Sequence, residues 1–412
     1  MGRIHDVESY GEADDEQDSP RQSWTSLLIW CAISYICMIA IFIRVCCPDL
    51  SLLKLGLLPL FVPGSSPTLF YAFSSSAGHF SKPRAIEIVA LVPFHEYKRT
   101  EILNCYLQFQ KNLASNDGFL DRVVFIPQTN DTDSLRWLAA TVEETPSYSV
   151  SRSRTFPTEI VDQGENMLFV WIDGDVVFLE DHTIPTTVKT KLDHSDSIIV
   201  SANVVNQGVL ESLHSHPSVA LPYRPELQPS QDSVDQNSWR ASTLPSWNGP
   251  KGFKVHKGFT SPFRNHRWLP SSDEDFDHTP IGMAMYTESG PGLDDWTVKA
   301  QQHYSFLHRL ETGSLNRYKF PMWKQPTDPI SQNFFCFMGR DGAAVESFIQ
   351  RGSSNKGKSK DESEVEATDI IIDGKGLAAH YVTGPRLRSL DDTDVLSRYQ
   401  AYAREMVCPR LA

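Results

Sequence analysis

The stretch Met167-Leu168-Phe169-Val170-Trp171-Ile172-Asp173-Gly174-Asp175-Val176-Val177-Phe178 constrains the fold more than any other part of this 412-residue chain. Two apolar runs flank a pair of aspartates one residue apart. A short run of large apolar residues reads as a buried strand. Packing does not favour carboxylates at the end of such a strand. Unpaired buried charge is costly, so the two must meet a cation, hydrogen-bond donors or water. In an α/β sheet, ligands gather outside the carboxyl ends of the strands. Two carboxylates there, with Gly174 between them to let a ligand approach the backbone, suit a divalent cation and a phosphate bound to it. The competing reading is that Asp173 and Asp175 merely cap a turn or the next helix.

The flanking sequence supplies a sheet for this strand. Ile86-Glu87-Ile88-Val89-Ala90-Leu91-Val92 reads as a buried strand and Arg122-Val123-Val124-Phe125-Ile126 as a second. Between them, Ile102, Leu103, Tyr106, Leu107, Phe109 and Leu113 form an apolar stripe at helical spacing, predicting a helix from Arg99 to Leu113. Thr132 to Glu144 reads as another helix. A strand-helix-strand-helix order implies a parallel sheet with right-handed crossovers. The Asp-x-Asp strand would be its third or fourth member. A helix from Thr183 to about Leu192 follows, then a strand over Ser197–Ala202 that runs into Asn203 and Asn206. Asp294 and Asp295 open a helix expected over Trp296–Glu311. The segments Ile370-Ile371 and Gly376–Tyr381 and a helix from Asp392 to about Met406 end the chain. The fold class is therefore α/β, with a Rossmann-like, mostly parallel sheet over residues 86–408. Residues 225–280 lack periodicity and read as a long surface excursion. The Ser-, Lys- and Glu-rich segment 350–368 reads as a mobile insertion.

Ahead of this domain the chain changes character. Residues 1–22 are polar and acidic, a composition that stays disordered. Trp24 to Ile43 then runs twenty residues without a charge, the length needed to cross a bilayer core. Trp24 and Arg44 stand at its ends as interfacial anchors would. We expect a single transmembrane signal anchor at 24–43, a cytosolic tail before it and a stem over 44–85. The positive-inside rule decides no orientation. The sequon Asn130-Asp131-Thr132 supports a lumenal catalytic side. A formal net charge of −13 argues against a general nucleic-acid binder. Seven cysteines show no zinc spacing and no disulfide-dense pattern. One disulfide among Cys105, Cys336 and Cys408 is compatible with an oxidising compartment, and nothing in the spacing chooses the pair.

A membrane-tethered α/β domain with an apolar strand ending in Asp-x-Asp resembles a glycosyltransferase of the GT-A type. Further segments carry the resemblance: Val200-Ser201-Ala202-Asn203-Val204-Val205-Asn206, Ala300-Gln301-Gln302-His303-Tyr304-Ser305-Phe306-Leu307 and Leu377-Ala378-Ala379-His380-Tyr381. With Trp171–Phe178 they are similar to a family of poorly characterised fungal, membrane-anchored glycosyltransferase-like proteins, over roughly residues 86–405. The acidic motif of that family usually reads Asp-Asp-Asp; here the middle residue is Gly174.

The resemblance implies a GT-A-like nucleotide-diphospho-sugar transferase fold in the Golgi or endoplasmic reticulum membrane, type II, with its catalytic domain in the lumen. Its partners would be a nucleotide-sugar donor and a glycan or glycoconjugate acceptor, with mannose the sugar expected by analogy. Mn²⁺ or Mg²⁺ would be held by Asp173, Asp175 and the late His380. His95 and Arg99, just past the first strand, are candidates for the nucleotide together with Asp173. Asp294 and Asp295 are candidates for the general base, the alternative being a plain N-cap. Asn203, Asn206 and His303 are candidates for sugar hydroxyls, against satisfied loop and core groups. Trp239, Trp247 and Trp268 would stack on a glycan or pin the loop. Two other readings stay open. Asp173 could be the nucleophile and Asp175 the acid/base of a haloacid-dehalogenase-like phosphatase. The chain could also be a membrane-tethered sugar-binding protein without catalysis.

Overall fold

The computed structural model describes residues 72–75, 78–82, 85–229, 238–256, 258–285, 295–325, 333–353, 370–381 and 387–408. The expected tail, the apolar run Trp24–Ile43, most of the stem and Asp294 lie outside them. Among the described residues no helix is long and apolar enough to cross a membrane. The end of the stem region contains a hairpin, Ala72–Ser75 against Gly78–Ser81.

The core is one nine-stranded sheet. Its strands are β1 (Ile88–Phe94), β2 (Arg122–Pro127), β3 (Tyr148–Val150), β4 (Leu168–Ile172), β5 (Val176–Leu179), β6 (Ile199–Val205), β7 (Trp323–Gln325), β8 (Phe334–Met338) and β9 (Ile370–His380). Across the sheet they run β7-β9-β6-β8-β4-β1-β2-β3, with β5 on the free edge of the second half of β9. Every residue of β1, β4 and β6 is buried, which explains the continuous apolar runs: both faces are covered. Side chains still alternate. Leu168, Val170 and Ile172 join one core with Ile88, Ala90 and Val92, whereas Phe169 and Trp171 join the other with Val89 and Leu91.

Helices cover these faces. On the first lie α1 (Tyr97–Phe109), through Ile102, Leu103, Tyr106 and Leu107, and α3 (Thr183–Asp193), through Ile184 and Val188. α4 (Trp296–Glu311) joins them through Ala300, Tyr304 and Leu307. α2 (Thr132–Glu144) starts on Asp131, whose carboxylate accepts from Ser134 N at 2.8 Å. α5 (Gly342–Ser353) adds Val345 to the second face. α6 (Val395–Tyr402) packs Val395 and Tyr399 onto the first core.

Three expectations are corrected. The sheet is mixed rather than mostly parallel. The pairs β1–β2, β2–β3, β1–β4 and β6–β9 are parallel, but β8 runs antiparallel between β4 and β6. An apolar run such as Phe334-Phe335-Cys336-Phe337-Met338 carries no sign of its direction. Next, the described part of 225–280 is not all surface. Trp268–Pro270 pairs with Tyr223–Pro225, and Trp239 and Trp268 are buried. Trp296 meets Trp268 edge-on at 6.1 Å and stacks on Phe259 at 6.1 Å. These aromatic contacts, rather than any periodic pattern, order the segment. Finally, the start of the 350–368 insertion is helical, since α5 extends to Ser353; the rest lies outside the described residues.

Among the described residues the cysteines resolve into one pair and one free thiol. Cys105 in α1 is bonded to Cys408, with Cα atoms 5.4 Å apart. Cys336 is a free, buried thiol in β8 that donates to Thr187 O at 3.3 Å.

Candidate metal site

β4 ends at Ile172, and the chain turns at once. Val176 N donates to Asp173 O at 3.0 Å, and Asp175 N donates to the Asp173 carboxylate at 2.9 Å. Asp173 N is held by Asn333 O at 2.8 Å, just before the antiparallel β8. Gly174 N donates to Pro93 O at 2.9 Å, and Thr100 Oγ1 donates to Gly174 O at 3.2 Å. A Cβ at Gly174 would sit 2.4 Å from Pro93 O and 2.9 Å from Thr100 Oγ1. No real Cβ survives such a contact with backbone, so no side chain fits there unless β1 moves. Where the resembled family carries a middle aspartate, this chain packs backbone against backbone. Gly174 therefore belongs to a tight turn that leaves no room for a side chain.

The third corner comes from β9. Ala378 pairs with Leu179 and Ala379 with Phe178, but His380 pairs with Val176, skipping one residue of β5. Such a bulge re-aims the side chain that follows it. Tyr381 N then donates to Asp175 O at 2.9 Å, fastening the end of β9 to the turn. As a result, one ligand atom from each of Asp173, Asp175 and His380 lies within 4.8 Å of the others. His380 Nε2 stands 3.7 Å from Asp173 Oδ1, and His95 Nε2, from the loop after β1, stands 3.9 Å from the same oxygen.

Burial and charge shape the cluster. The Asp173 side chain keeps 19% of its surface exposed and the Asp175 side chain 2%, so the cluster opens on the Asp173 side. Burial raises the Asp173 carboxyl. The His380 and His95 rings and the Asp175 N–H outweigh it, and the group ends below the ordinary range. Asp175 goes the other way. Burial and then the Asp173 charge push it up, and Arg99 and His380 recover only part. Arg99 Nε donates to Asp175 Oδ1 at 2.8 Å, its Nη1 lies 2.6 Å from Glu96 Oε2, and its guanidinium lies 5.7 Å from the Tyr381 ring centre. It is a clamp on Asp175 rather than a free arm for a nucleotide.

Among the described residues, both ring nitrogens of His380 are buried without a hydrogen-bond partner. A buried polar group left this way calls for an explanation. An imidazole with open nitrogens beside two carboxylates is a donor set that accepts Mn²⁺ or a similar divalent ion. The residues present fit the implied cofactor.

The other candidates separate into distinct roles. Asp295 is the N-cap of α4: its Oδ1 accepts from Thr297 N at 2.9 Å and Thr297 Oγ1 at 2.7 Å. Asn203 is fully buried, donating to Tyr318 O and Gly374 O and accepting from His214 Nε2. It ties β6 to the middle of β9 and is not available to a sugar. His303 is also fully buried, between Asn206 and Tyr399. Burial, helped by the Lys299 and His380 charges, pushes its pKa down to about 3, so it is neutral. Asn206 lies between His303 and the His380 carbonyl. The elements that seat the acidic pair, namely the Pro93 and Asn333 carbonyls and the Tyr381 N–H, are backbone groups with no signature in sequence.

No family model matches the chain, and no curated protein matches it. Among solved structures, similar folds include the crystal structure of GalNAc-T7 with UDP, GalNAc and Mn²⁺, at 8% identity and TM-score 0.32 over 76% of this chain. The chain spans 48% of that protein's length. The 4-diphosphocytidyl-2C-methyl-D-erythritol synthase of Anaerococcus prevotii matches at 8% identity and TM-score 0.26, over 74% of this chain and 97% of that one. Mannose-6-phosphate isomerase from Helicobacter pylori follows at 10% identity and TM-score 0.23, over 76% and 92%. At these values the likeness assigns this chain neither a substrate nor a reaction.

Proposed function

We propose that this chain is a metal-dependent glycosyltransferase of GT-A-like fold, moving a sugar from a nucleotide-sugar donor to a glycan or glycoconjugate acceptor. One observation carries the reading. Asp173, Asp175 and His380 converge at the carboxyl end of β4, and among the described residues neither ring nitrogen of His380 has a hydrogen-bond partner. A divalent ion bound there supplies charge compensation for the diphosphate that leaves the sugar. The chain's own residues do the rest. Arg99 holds Asp175 in place. Asp173, the more exposed carboxylate, faces the incoming donor. His95 stands beside Asp173 at the end of β1, where the nucleotide would lie. Mannose is the first sugar to try. The general base is assigned to Asp294, because the Asp295 carboxylate is already engaged as an N-cap.

The disulfide between Cys105 and Cys408 supports an oxidising compartment. We accordingly propose a type II protein of the Golgi or endoplasmic reticulum, anchored through Trp24–Ile43, with exposed Asn130 in the lumen.

The test uses the full-length chain with nucleoside diphosphates, with and without Mn²⁺. Binding is expected only with the metal and is expected to vanish in Asp175→Ala. Metal-independent binding sinks the reading. Phosphate release from a generic phosphoester, lost in Asp173→Asn, would instead establish the phosphatase.

A further inference from the structure

His380 reaches the acidic pair where the pairing of β9 with β5 skips Val177, and something must hold the end of β9 at that irregularity. The chain of contacts behind it begins at Asn206, the first residue past β6. Asn206 is 5% exposed and adopts a left-handed backbone, φ 68°. Its Nδ2 lies 2.9 Å from His303 Nε2 and donates to His380 O at 3.4 Å. Because an amide N–H points at Nε2, that nitrogen is the acceptor of the ring. The ring proton is then on Nδ1, which lies 3.0 Å from Tyr399 Oη. The His303 ring also stacks on Tyr381 at 5.7 Å and 29°. Tyr381 is the residue whose N–H grips Asp175 O. Asn206 and His303 thus touch both residues at the end of β9: one by the His380 carbonyl, the other by the Tyr381 ring.

This arrangement has a cost. Left-handed backbone is sparsely populated outside glycine. The Asn206 Oδ1 is buried without a partner. A strained residue with one unmet bond persists where its surroundings over-determine it, and such residues collect at functional sites. Here the amide gives up one bond and aims its donor at two acceptors, one of them the carbonyl of the candidate ligand.

We propose that Asn206 and His303 are positioning residues that set the His380 corner of the site and so tune its affinity for a divalent ion. The proposal rests on the metal reading above. Neither residue touches the ion. They act on the backbone that carries its imidazole, as outer groups around metal ligands do elsewhere.

Asn206→Gly is the informative variant. Glycine tolerates the left-handed backbone, so the change removes the amide without adding strain. With full-length protein, Mn²⁺ affinity is expected to fall about 10- to 100-fold. The visible spectrum of the Co²⁺-loaded protein is expected to shift, reporting altered ligand geometry. His303→Leu should behave likewise, and His303→Gln, which restores an acceptor oxygen, should recover part of the affinity. If Asn206→Gly and His303→Leu leave both the Mn²⁺ affinity and the Co²⁺ spectrum unchanged, the positioning role is overturned while the metal site stands. If the unmodified chain binds no Mn²⁺, both ideas fail together.

Discussion

Two of the charged clusters in this domain differ in kind in their bonding. Asp394 and Arg398 form a buried, bidentate pair: Nε to Oδ1 at 2.9 Å and Nη2 to Oδ2 at 2.8 Å. Tyr304 donates its hydroxyl to Asp394, Arg398 Nη1 donates to Ser238 O at 2.9 Å, and the guanidinium lies 5.4 Å from the Tyr304 ring centre. The ligand atoms of Asp173, Asp175 and His380 lie within 4.8 Å of one another, yet among the described residues the imidazole nitrogens have no hydrogen-bond partner and the Asp173 side remains open. The first cluster is complete and serves the fold. The second is incomplete among the residues described, and incompleteness in a buried group costs free energy unless something else fills it. Proximity of charges alone does not distinguish a site from a strut; here the difference is an imidazole with both nitrogens unmet beside two carboxylates, one of them open to solvent.

The sharpest way to test that contrast is to break the complete cluster. Asp394→Ala strands the Arg398 guanidinium in a buried setting, which typically costs about 3–5 kcal/mol. Denaturant unfolding should show that loss. Acid should come next. Burial holds both His214 and His303 near a pKa of about 3, against 6.5 for a free imidazole. Their folded-state pKa lies below the unfolded one, so the unfolded chain binds the extra protons. The stability they contribute is intact above pH 6.5 and is lost as the pH falls from there toward 3. Between pH 7 and pH 5 each should subtract about 2 kcal/mol, read from unfolding midpoints across that range. A stability flat between pH 7 and 5 would show that neither ring is held neutral.

The last effect falls on the incomplete cluster itself, where the metal response is more telling than the loss of stability. Gly174→Ala forces a methyl group toward Pro93 O and should cost about 1–3 kcal/mol by overpacking. Its distinguishing mark is selectivity. Mn²⁺ should raise the unfolding temperature of the parent, because a ligand bound only by the folded chain stabilises it. That rise should shrink in Gly174→Ala and persist in Asp394→Ala measured at a lower temperature. If Asp394→Ala abolishes the response as well, the two clusters are not independent.

Much of this was readable beforehand, for a specific reason. Asp173 and Asp175 stood out because nothing in the packing of a buried strand asks for them, and His380 because it ends a short apolar run. Burial on both faces made β1, β4 and β6 visible as apolar runs. What remained hidden depended on pairing. The direction of β8, the skipped residue opposite His380 and the carbonyls that seat Gly174 are relations between distant strands. Asn203 and His303 resembled substrate groups until their partners were known; each is buried with its bonds directed at backbone or at neighbouring side chains. Asp295 followed the simpler rule, since an aspartate before a helix caps it.

The bond between Cys105 and Cys408 spans 303 residues of sequence. It joins the helix that carries Arg99 to the last turn of the described chain. During synthesis at about 5–20 residues per second, Cys105 would wait roughly 15–60 seconds for its partner to be made. Cys336 is made first, and a thiol that emerges in between is a rival. Its place in the central strand, buried and bonded to Thr187 O, removes it from the competition once β8 inserts between β4 and β6. In the folded domain, that burial keeps the Cys336 thiol away from exchange with the Cys105–Cys408 bond.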